Sequence, residues 1–260
     1  MYNYVDIHSH LNFPDYEKDF EEVIQRLRDT KTATITVGTD LASSKKAVEL
    51  AERYEMIYAC IGLHPADNTE EIFNQEEFEK LVTHKKVVAV GECGLDYGRE
   101  KDATEETKIR QKKDFEKQID FAVKHDKLLM LHIRNAHEDV LEILTSKKRE
   151  HGEKLRGNAH FFSGDKITAQ KYLDLGFTVS FTGVITFARD YDEVVRSVPL
   201  EKMMSETDSP FVAPIPYRRT RNEPAYVSEV VKKIAEIRSE DFETVKNTLR
   251  NNAVKYFGLM

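Results

Sequence analysis

The stretch VVAVGE, residues 87 to 92, is apolar on both faces that a β-strand would present, and it ends in a glutamate. A strand without a polar face has to be covered on both sides, as it is in a parallel sheet flanked by helices. An ionised carboxylate at the end of such a strand is costly to desolvate unless a cation or protons compensate its charge. This segment therefore predicts a helix-covered parallel sheet with a charged site at the strand ends.

Seven further runs of this kind occur along the chain, separated by charged stretches with helical spacing. They are NYVDIH (3–8), ATITVG (33–38), IYACIG (57–62), LLMLHI (128–133), GNAHFF (157–162), FTVSFT (177–182) and KMMSET (202–207). In the first charged stretch Phe20, Val23, Ile24 and Leu27 fall on one helical face. Eight strand and helix units predict a single (β/α)8 barrel domain over residues 1–260, with a doubly wound sheet as the alternative.

Composition and charge limit the class of protein. The chain has 260 residues, of which 40% are hydrophobic, and a formal net charge of -7, which argues against a broad basic face that coats duplex DNA. Cys60 and Cys93 lie in apolar runs and predict free thiols. Because no window approaches the roughly 18 apolar residues of a membrane span and the N-terminus lacks the pattern of a secretory signal, we expect a cytoplasmic protein without a membrane partner. The oligomeric state stays open, and we favour a monomer.

Metal-capable side chains stand at the ends of six of the eight runs. They are His8 and His10, His64, Glu92, His132, His160 and Asp208. His8 and His10 project to the same side of a strand because the side-chain period there is two. In a barrel the carboxyl ends of all strands meet at one rim. Imidazoles and carboxylates together suit zinc, manganese, iron or cobalt better than calcium.

Each of these residues has a structural alternative when it is considered alone. A single histidine after a strand is more often packed and hydrogen-bonded than bound to metal. Glu92 or Asp208 alone could cap a helix or form a salt bridge. The joint set favours a metal site, because one barrel rim would bring all of them together.

The stretch SPFVAPIPYRRTRNEP (209–224) contains four of the chain's seven prolines and predicts a long, partly rigid loop. Long loops that follow barrel strands usually contain binding or catalytic residues. The helical pattern resumes at Ala225 and runs to the C-terminus with a break near Ser239.

Seven phrases carry a family resemblance: VDIHSHL (5–11), GLHP (62–65), GECGLDY (91–97), HIRNAHED (132–139), HFFSG (160–164), ETDSP (206–210) and RNEP (221–224). In order and spacing they resemble the TatD family of metal-dependent deoxyribonucleases, which are barrel members of the amidohydrolase-like hydrolases. The chain departs from the usual family pattern at Phe161, at Ile133 and at Arg219–Thr220, and none of these positions is a ligand.

The resemblance implies a phosphodiesterase site with two divalent ions, such as zinc, magnesium or manganese. Its ligands divide into two sets bridged by Glu92, namely His8, His10 and Asp208 for one ion and His132 and His160 for the other. Asp208 is also the candidate general base, with a ligand-only role as its alternative.

Four further residues are candidate substrate contacts: His64, Asp96, Arg134 and Arg221. The alternatives are a loop-structuring histidine for His64, a rim salt bridge for Asp96 and Arg134, and a solvated basic loop for Arg221. The expected partner is DNA, because a local basic cluster on an acidic protein suits a short single-stranded end better than a long duplex.

Two other functions stay open at this point. One is hydrolysis of another ester or an amide, as by a D-aminoacyl-tRNA deacylase, on the same site. Related barrels often bridge their metals with a modified lysine at the fourth strand, whereas Glu92 at this place favours phosphate chemistry. The other is a non-catalytic binding module. Such a protein is expected to lack some of the metal ligands, and none of them is missing in this sequence.

Overall fold

The strands form one parallel sheet in which each strand pairs with the next along the chain. The computed structural model describes residues 2–67, 71–98 and 104–260. In these ranges the strands are β1 (Tyr4–Ser9), β2 (Thr32–Val37), β3 (Ile57–Ile61), β4 (Val87–Asp96), β5 (Leu128–Arg134), β6 (Gly157–Ala159), β7 (Thr178–Phe181) and β8 (Met203–Ser205). Each of them falls on one of the apolar runs, so the predicted (β/α)8 barrel is confirmed.

Helices follow the strands and cover the sheet. Within the described residues they are α1 (Phe20–Thr30), α2 (Leu41–Arg53), α3 (Gln75–Val82), α4 (Glu105–Lys124), α5 (His137–His151), α6 (Lys166–Asp174), α7 (Asp192–Ser197), α8 (Val227–Arg238) and α9 (Phe242–Phe257). Helix α1 buries Val23, Ile24 and Leu27, which is the face that the spacing predicts. No helix in these ranges combines the length and the apolar character needed to cross a bilayer.

The C-terminal helix closes the N-terminal end of the barrel. Tyr256 of α9 donates a hydrogen bond from its hydroxyl to the carbonyl of Gly157, where β6 begins, at 2.9 Å. Tyr58, near the start of β3, donates to the carbonyl of Met260 at 2.6 Å. The site therefore opens at the opposite end, where the strands finish.

The first and last strands meet at a seam that has no continuous ladder among the described residues. One isolated parallel bridge joins Ser9 and Ser209, and the N–H of Asp208 donates to the carbonyl of His8 at 2.9 Å. The buried carboxylate of Asp6 accepts from the N–H and the hydroxyl of Thr207 at 2.8 and 2.7 Å. Side chains thus complete the barrel at the seam, where backbone pairing is sparse.

Asn222 anchors the proline-rich loop after β8. Its fully buried side-chain amide donates to the carbonyls of Thr207 and Phe211 at 2.9 and 2.6 Å. The hydroxyl of Tyr16 donates to the carbonyl of Asn222 at 2.8 Å. The segment between Thr207 and Phe211, which includes Asp208, is therefore held from both ends, in agreement with a partly rigid loop.

Candidate metal centre

The six side chains that the resemblance assigns to metal binding converge at the C-terminal ends of the strands. Five of them line one cavity of about 600 Å³, namely His10, Glu92, His132, His160 and Asp208. The sixth, His8, is fully buried and contacts them. The barrel thus brings together residues that are up to 200 positions apart in the chain.

Glu92 lies between two groups of histidines. Its Oε1 is 2.7 Å from His132 Nδ1 and 2.9 Å from His160 Nε2. Its Oε2 is 3.4 Å from His8 Nε2 and 3.7 Å from His10 Nε2. Among the described residues the carboxylate belongs to two of the five groups of ligand atoms that are close enough to share an ion, one with His8 and His10 and one with His132 and His160. This is the position that a bridging ligand requires.

We call His8, His10 and Asp208 the seam set, because they stand where β1 and β8 meet, and His132 and His160 the ladder set. In the seam set the Nε2 atoms of His8 and His10 are 3.2 Å apart, and Asp208 Oδ1 is 3.5 Å from His10 Nε2. His8 Nδ1 is buried without a hydrogen-bond partner among the described residues. Borderline divalent cations such as zinc are bound by imidazole nitrogens and carboxylate oxygens. The side chains of the seam set therefore fit such an ion.

Charge within the centre is balanced between the carboxylate and the imidazoles. Burial alone would raise the pKa of Glu92, but the rings of His160 and His64 and the hydrogen bond with His132 hold it well below its usual range. Burial opposes a charge on His160, yet Glu92 and Glu206 raise its pKa well above the ordinary value. A divalent cation would compete with the proton of His160 for the same carboxylate charge.

Glu206 is a buried acid next to the centre to which the sequence interpretation gave no role. Its Oε2 is 3.3 Å from His160 Nδ1 and 3.9 Å from His8 Nδ1, so it approaches one imidazole of each set. Its Oε1 accepts from the hydroxyl of Ser180 at 2.7 Å. Carboxylates that contact the second nitrogen of a ligating histidine fix its orientation and tautomer. The available indication was its place in ETDSP, two residues before Asp208.

His64 and Arg134, both predicted substrate contacts, line the cavity. His64 is buried, and its Nε2 is 3.6 Å from Glu92 Oε1. It also forms a close group of potential ligand atoms with Asp96 and His132. Arg134 is exposed at the cavity wall. Their roles toward a substrate stay predictions.

The structure places the other two predicted contacts, Asp96 and Arg221, outside the described lining of the cavity. Asp96 is fully buried, and its Oδ2 is 2.9 Å from His132 Nε2, so its carboxylate contacts a candidate ligand and not the open cavity. The guanidinium of Arg221 donates to both carboxylate oxygens of Asp19 at 2.6 and 2.7 Å and to Glu223 at 3.0 Å. Arg221 is not among the described residues that line the cavity. Its guanidinium is paired with these acids, and its role toward a substrate stays a prediction.

A barrel whose strand ends gather histidines around a shared carboxylate defines a metal-dependent hydrolase, and comparison with known proteins agrees. The chain matches the family described as TatD related DNase over residues 5–258. It is 39% identical to YabD of Bacillus subtilis, covering 97% of this chain and 98% of that protein. It is 36% identical to YcfH of Escherichia coli, covering 97% and 95%. Both relatives are described as uncharacterized metal-dependent hydrolases.

The solved structure of YjjV, a TatD homologue from Escherichia coli, superposes with a TM-score of 0.88 at 27% identity and covers 99% of each chain. The protein therefore belongs to the TatD family of metal-dependent hydrolases. This confirms the resemblance that the seven sequence phrases carry.

Proposed function

We propose that this protein hydrolyses phosphodiester bonds of DNA, removing nucleotides from single-stranded ends with two divalent cations held by the seam set, the ladder set and Glu92. The observation that carries the proposal is the position of Glu92, whose two carboxylate oxygens face different histidine pairs at 2.7–2.9 Å and 3.4–3.7 Å. Two-cation sites of this kind are common in nucleases and phosphatases.

When bound, the cations supply a nucleophile at neutral pH and neutralise charge on the phosphoryl oxygens. Asp208 is the general base in this proposal. Its side chain is 14% exposed, lines the cavity and lies 3.5 Å from His10, so it can accept a proton from an attacking water. Glu92 contacts both sets in this proposal and so fixes their positions relative to each other.

Arg134 and His64 bind phosphate oxygens in this proposal. Arg134 is exposed at the cavity wall, and its guanidinium has no ion pair among the described residues. A guanidinium that is free of a carboxylate suits bidentate contact with a phosphate. His64 lines the cavity, and its Nε2 is 3.6 Å from Glu92 Oε1.

The shape of the site and the charge of the protein support a strand end as the substrate. The cavity of about 600 Å³ has the size of a small-molecule pocket and accommodates a nucleotide-sized group. A net charge of -7 leaves little electrostatic attraction for a long duplex.

The test is cleavage of single-stranded oligonucleotides labelled at either end, in a series of divalent metals, with products sized at single-nucleotide resolution. We expect stepwise shortening that a chelator abolishes. Glu92→Ala should lower the rate by on the order of 10³-fold, because several kcal/mol of transition-state stabilisation depend on the ions. Glu150→Ala, which removes an exposed carboxylate of α5, is the control and should keep full activity.

Two outcomes would overturn the proposal. One is full nuclease activity of Glu92→Ala in metal-free buffer. The other is release of the amino acid from a D-aminoacyl-tRNA, without shortening of any oligonucleotide, by the same preparation. The second result would assign the site to a deacylase or another ester or amide hydrolase.

A further inference from the structure

An aromatic wall begins at the seam set. The ring of Phe13 stacks on that of His10, with centroids 4.5 Å apart and an interplanar angle of 17°. The ring of Phe211 meets Phe13 edge to face at 6.4 Å and lies 6.2 Å from the His10 ring. Both phenylalanines line the cavity. Two apolar rings set at a steep angle to each other thus lie beside the candidate metal ligand His10.

Phe211 is 47% exposed, although its backbone is fixed on both sides. Its N–H donates to the carbonyl of Asp208 at 2.9 Å, and its carbonyl accepts from Asn222 at 2.6 Å. Because this turn already fixes the backbone of Phe211, a ligand that stacks on the ring has only the side-chain torsions left to order.

Exposure alone would not distinguish Phe211, since single exposed apolar side chains are normal on protein surfaces. Phe187, for example, is 38% exposed, and the guanidinium of Arg218 lies 3.9 Å above its ring. Phe187 is not among the described residues that line the cavity. What singles out Phe211 is its place inside the cavity, beside His10.

The cavity offers three kinds of surface: a floor of carboxylates and imidazoles, the phenylalanine wall, and the cation of Arg134. A nucleotide end carries three matching groups, namely a phosphodiester for the floor, a base for the aromatic ring and a further phosphate for the guanidinium. A small lactone or a simple amide would leave the aromatic wall without a partner.

We propose that Phe211, supported by Phe13, is the stacking platform for the base of the nucleotide next to the cleaved phosphate. This inference rests on the proposed function. Stacking on a phenyl ring accepts every base, so the platform would bind strand ends of any sequence. It also requires an unpaired base, which makes a single-stranded end the preferred substrate.

The test compares two single-stranded oligonucleotides that differ only in whether the nucleotides at the cleaved end carry bases or are abasic. Kd is measured by fluorescence anisotropy in chelator, and KM is measured with metal. Phe211→Ala should raise both constants for the normal oligonucleotide by about tenfold and leave those for the abasic one nearly unchanged. Phe211→Tyr keeps a flat ring and should stay within about twofold of the wild type. Phe187→Ala is the matched control and should have no effect.

The outcomes separate this inference from the proposed function. If Phe211→Ala changes both oligonucleotides equally, or neither, the stacking role is overturned while the phosphodiesterase stands. If the wild-type protein cleaves neither oligonucleotide, the proposed function fails and the inference fails with it. Loss of metal binding in Phe211→Ala would assign the ring to support of the Asp208 turn and overturn its role as a platform.

Discussion

The seam set and the ladder set of the candidate metal centre are held in place by different interactions. The ladder set lies on β5 and immediately after β6, where neighbouring strands pair over several residues with one register shift, between Val90 and Cys93 of β4; His132 pairs with Gly94 of β4, and Leu131 pairs with Ala159 of β6. The seam set stands where β1 meets the segment after β8 through one isolated bridge, Ser9 with Ser209, and it depends on the side chains of Asp6 and Asn222.

The two kinds of support should not be equally sensitive to substitution. A ladder distributes the position of a side chain over many backbone hydrogen bonds, which no single substitution removes. At the seam a few buried polar side chains hold the ligands in position. A buried polar network weakens sharply when one of its members is lost. Substitutions away from the ligands should therefore disturb the seam set more than the ladder set.

Removal of one ligand from each set should change metal binding most, and it tests the two sets separately. His10→Ala and His132→Ala should each reduce the metal content from two ions per chain to one, because each removes a ligand from a different set. The affinity of the affected site should fall by at least on the order of 100-fold. Metal content after dialysis and titration calorimetry measure this. Loss of both ions in both variants would mean that the sets do not bind separate ions.

Glu206→Gln tests a second acid that, like Glu92, approaches both sets. Glutamine keeps the shape of Glu206 but presents an N–H₂ group toward His160 Nδ1, which lies 3.3 Å away. The proton of His160 is then displaced toward Nε2, the nitrogen that faces Glu92 at 2.9 Å. We expect metal affinity to fall by about 10- to 100-fold in calorimetric titration. Ser180→Ala, which removes a donor to Glu206 but keeps its charge, should lose much less. Equal affinity of Glu206→Gln and the wild type would rule out this orienting role.

Removal of a buried side-chain amide should change metal binding least. Asn222 and Gln118 allow a matched comparison, because each amide forms two hydrogen bonds with backbone groups. Asn222→Ala leaves two carbonyls at the seam without their donor. Gln118→Ala removes two hydrogen bonds to the backbone of Leu63, beside β3. Each variant should lose about 2–4 kcal/mol in the free energy of unfolding, measured in urea.

Only Asn222→Ala should also weaken the binding of one metal ion, by about tenfold, because Asn222 brackets the Asp208 turn. The ion at the ladder set should be unaffected in both variants. If Gln118→Ala weakened metal binding as much as Asn222→Ala, the distinction between seam and ladder would fail.

Much of the fold and of the centre could be predicted from the sequence because the information is local. Runs such as VVAVGE (87–92) are apolar on both faces wherever the strand lies in the sheet. His8 and His10 share a face of β1 by their spacing alone. The break between α8 and α9 is likewise visible in the chain, and the structure has Ser239 there in a left-handed conformation with φ of 54°.

The side-chain partners of several residues could not be predicted in this way. The basic stretch around Arg221 predicts a substrate contact but not its ion pair with Asp19, which is 202 positions away in the chain. Asp96 is close in sequence to Glu92, which lines the cavity, yet the carboxylate of Asp96 is buried against His132. Glu206 approaches His8 only because β8 closes the barrel next to β1.

The order of strands and helices, the barrel and the side chains at its rim follow from local sequence, because hydrophobic period and residue type are properties of short segments. Folding in three dimensions sets which acid contacts which histidine, which cation faces the cavity and how the seam is closed. Those contacts depend on barrel closure and on the directions of individual side chains, and neither is encoded in the spacing of neighbouring residues.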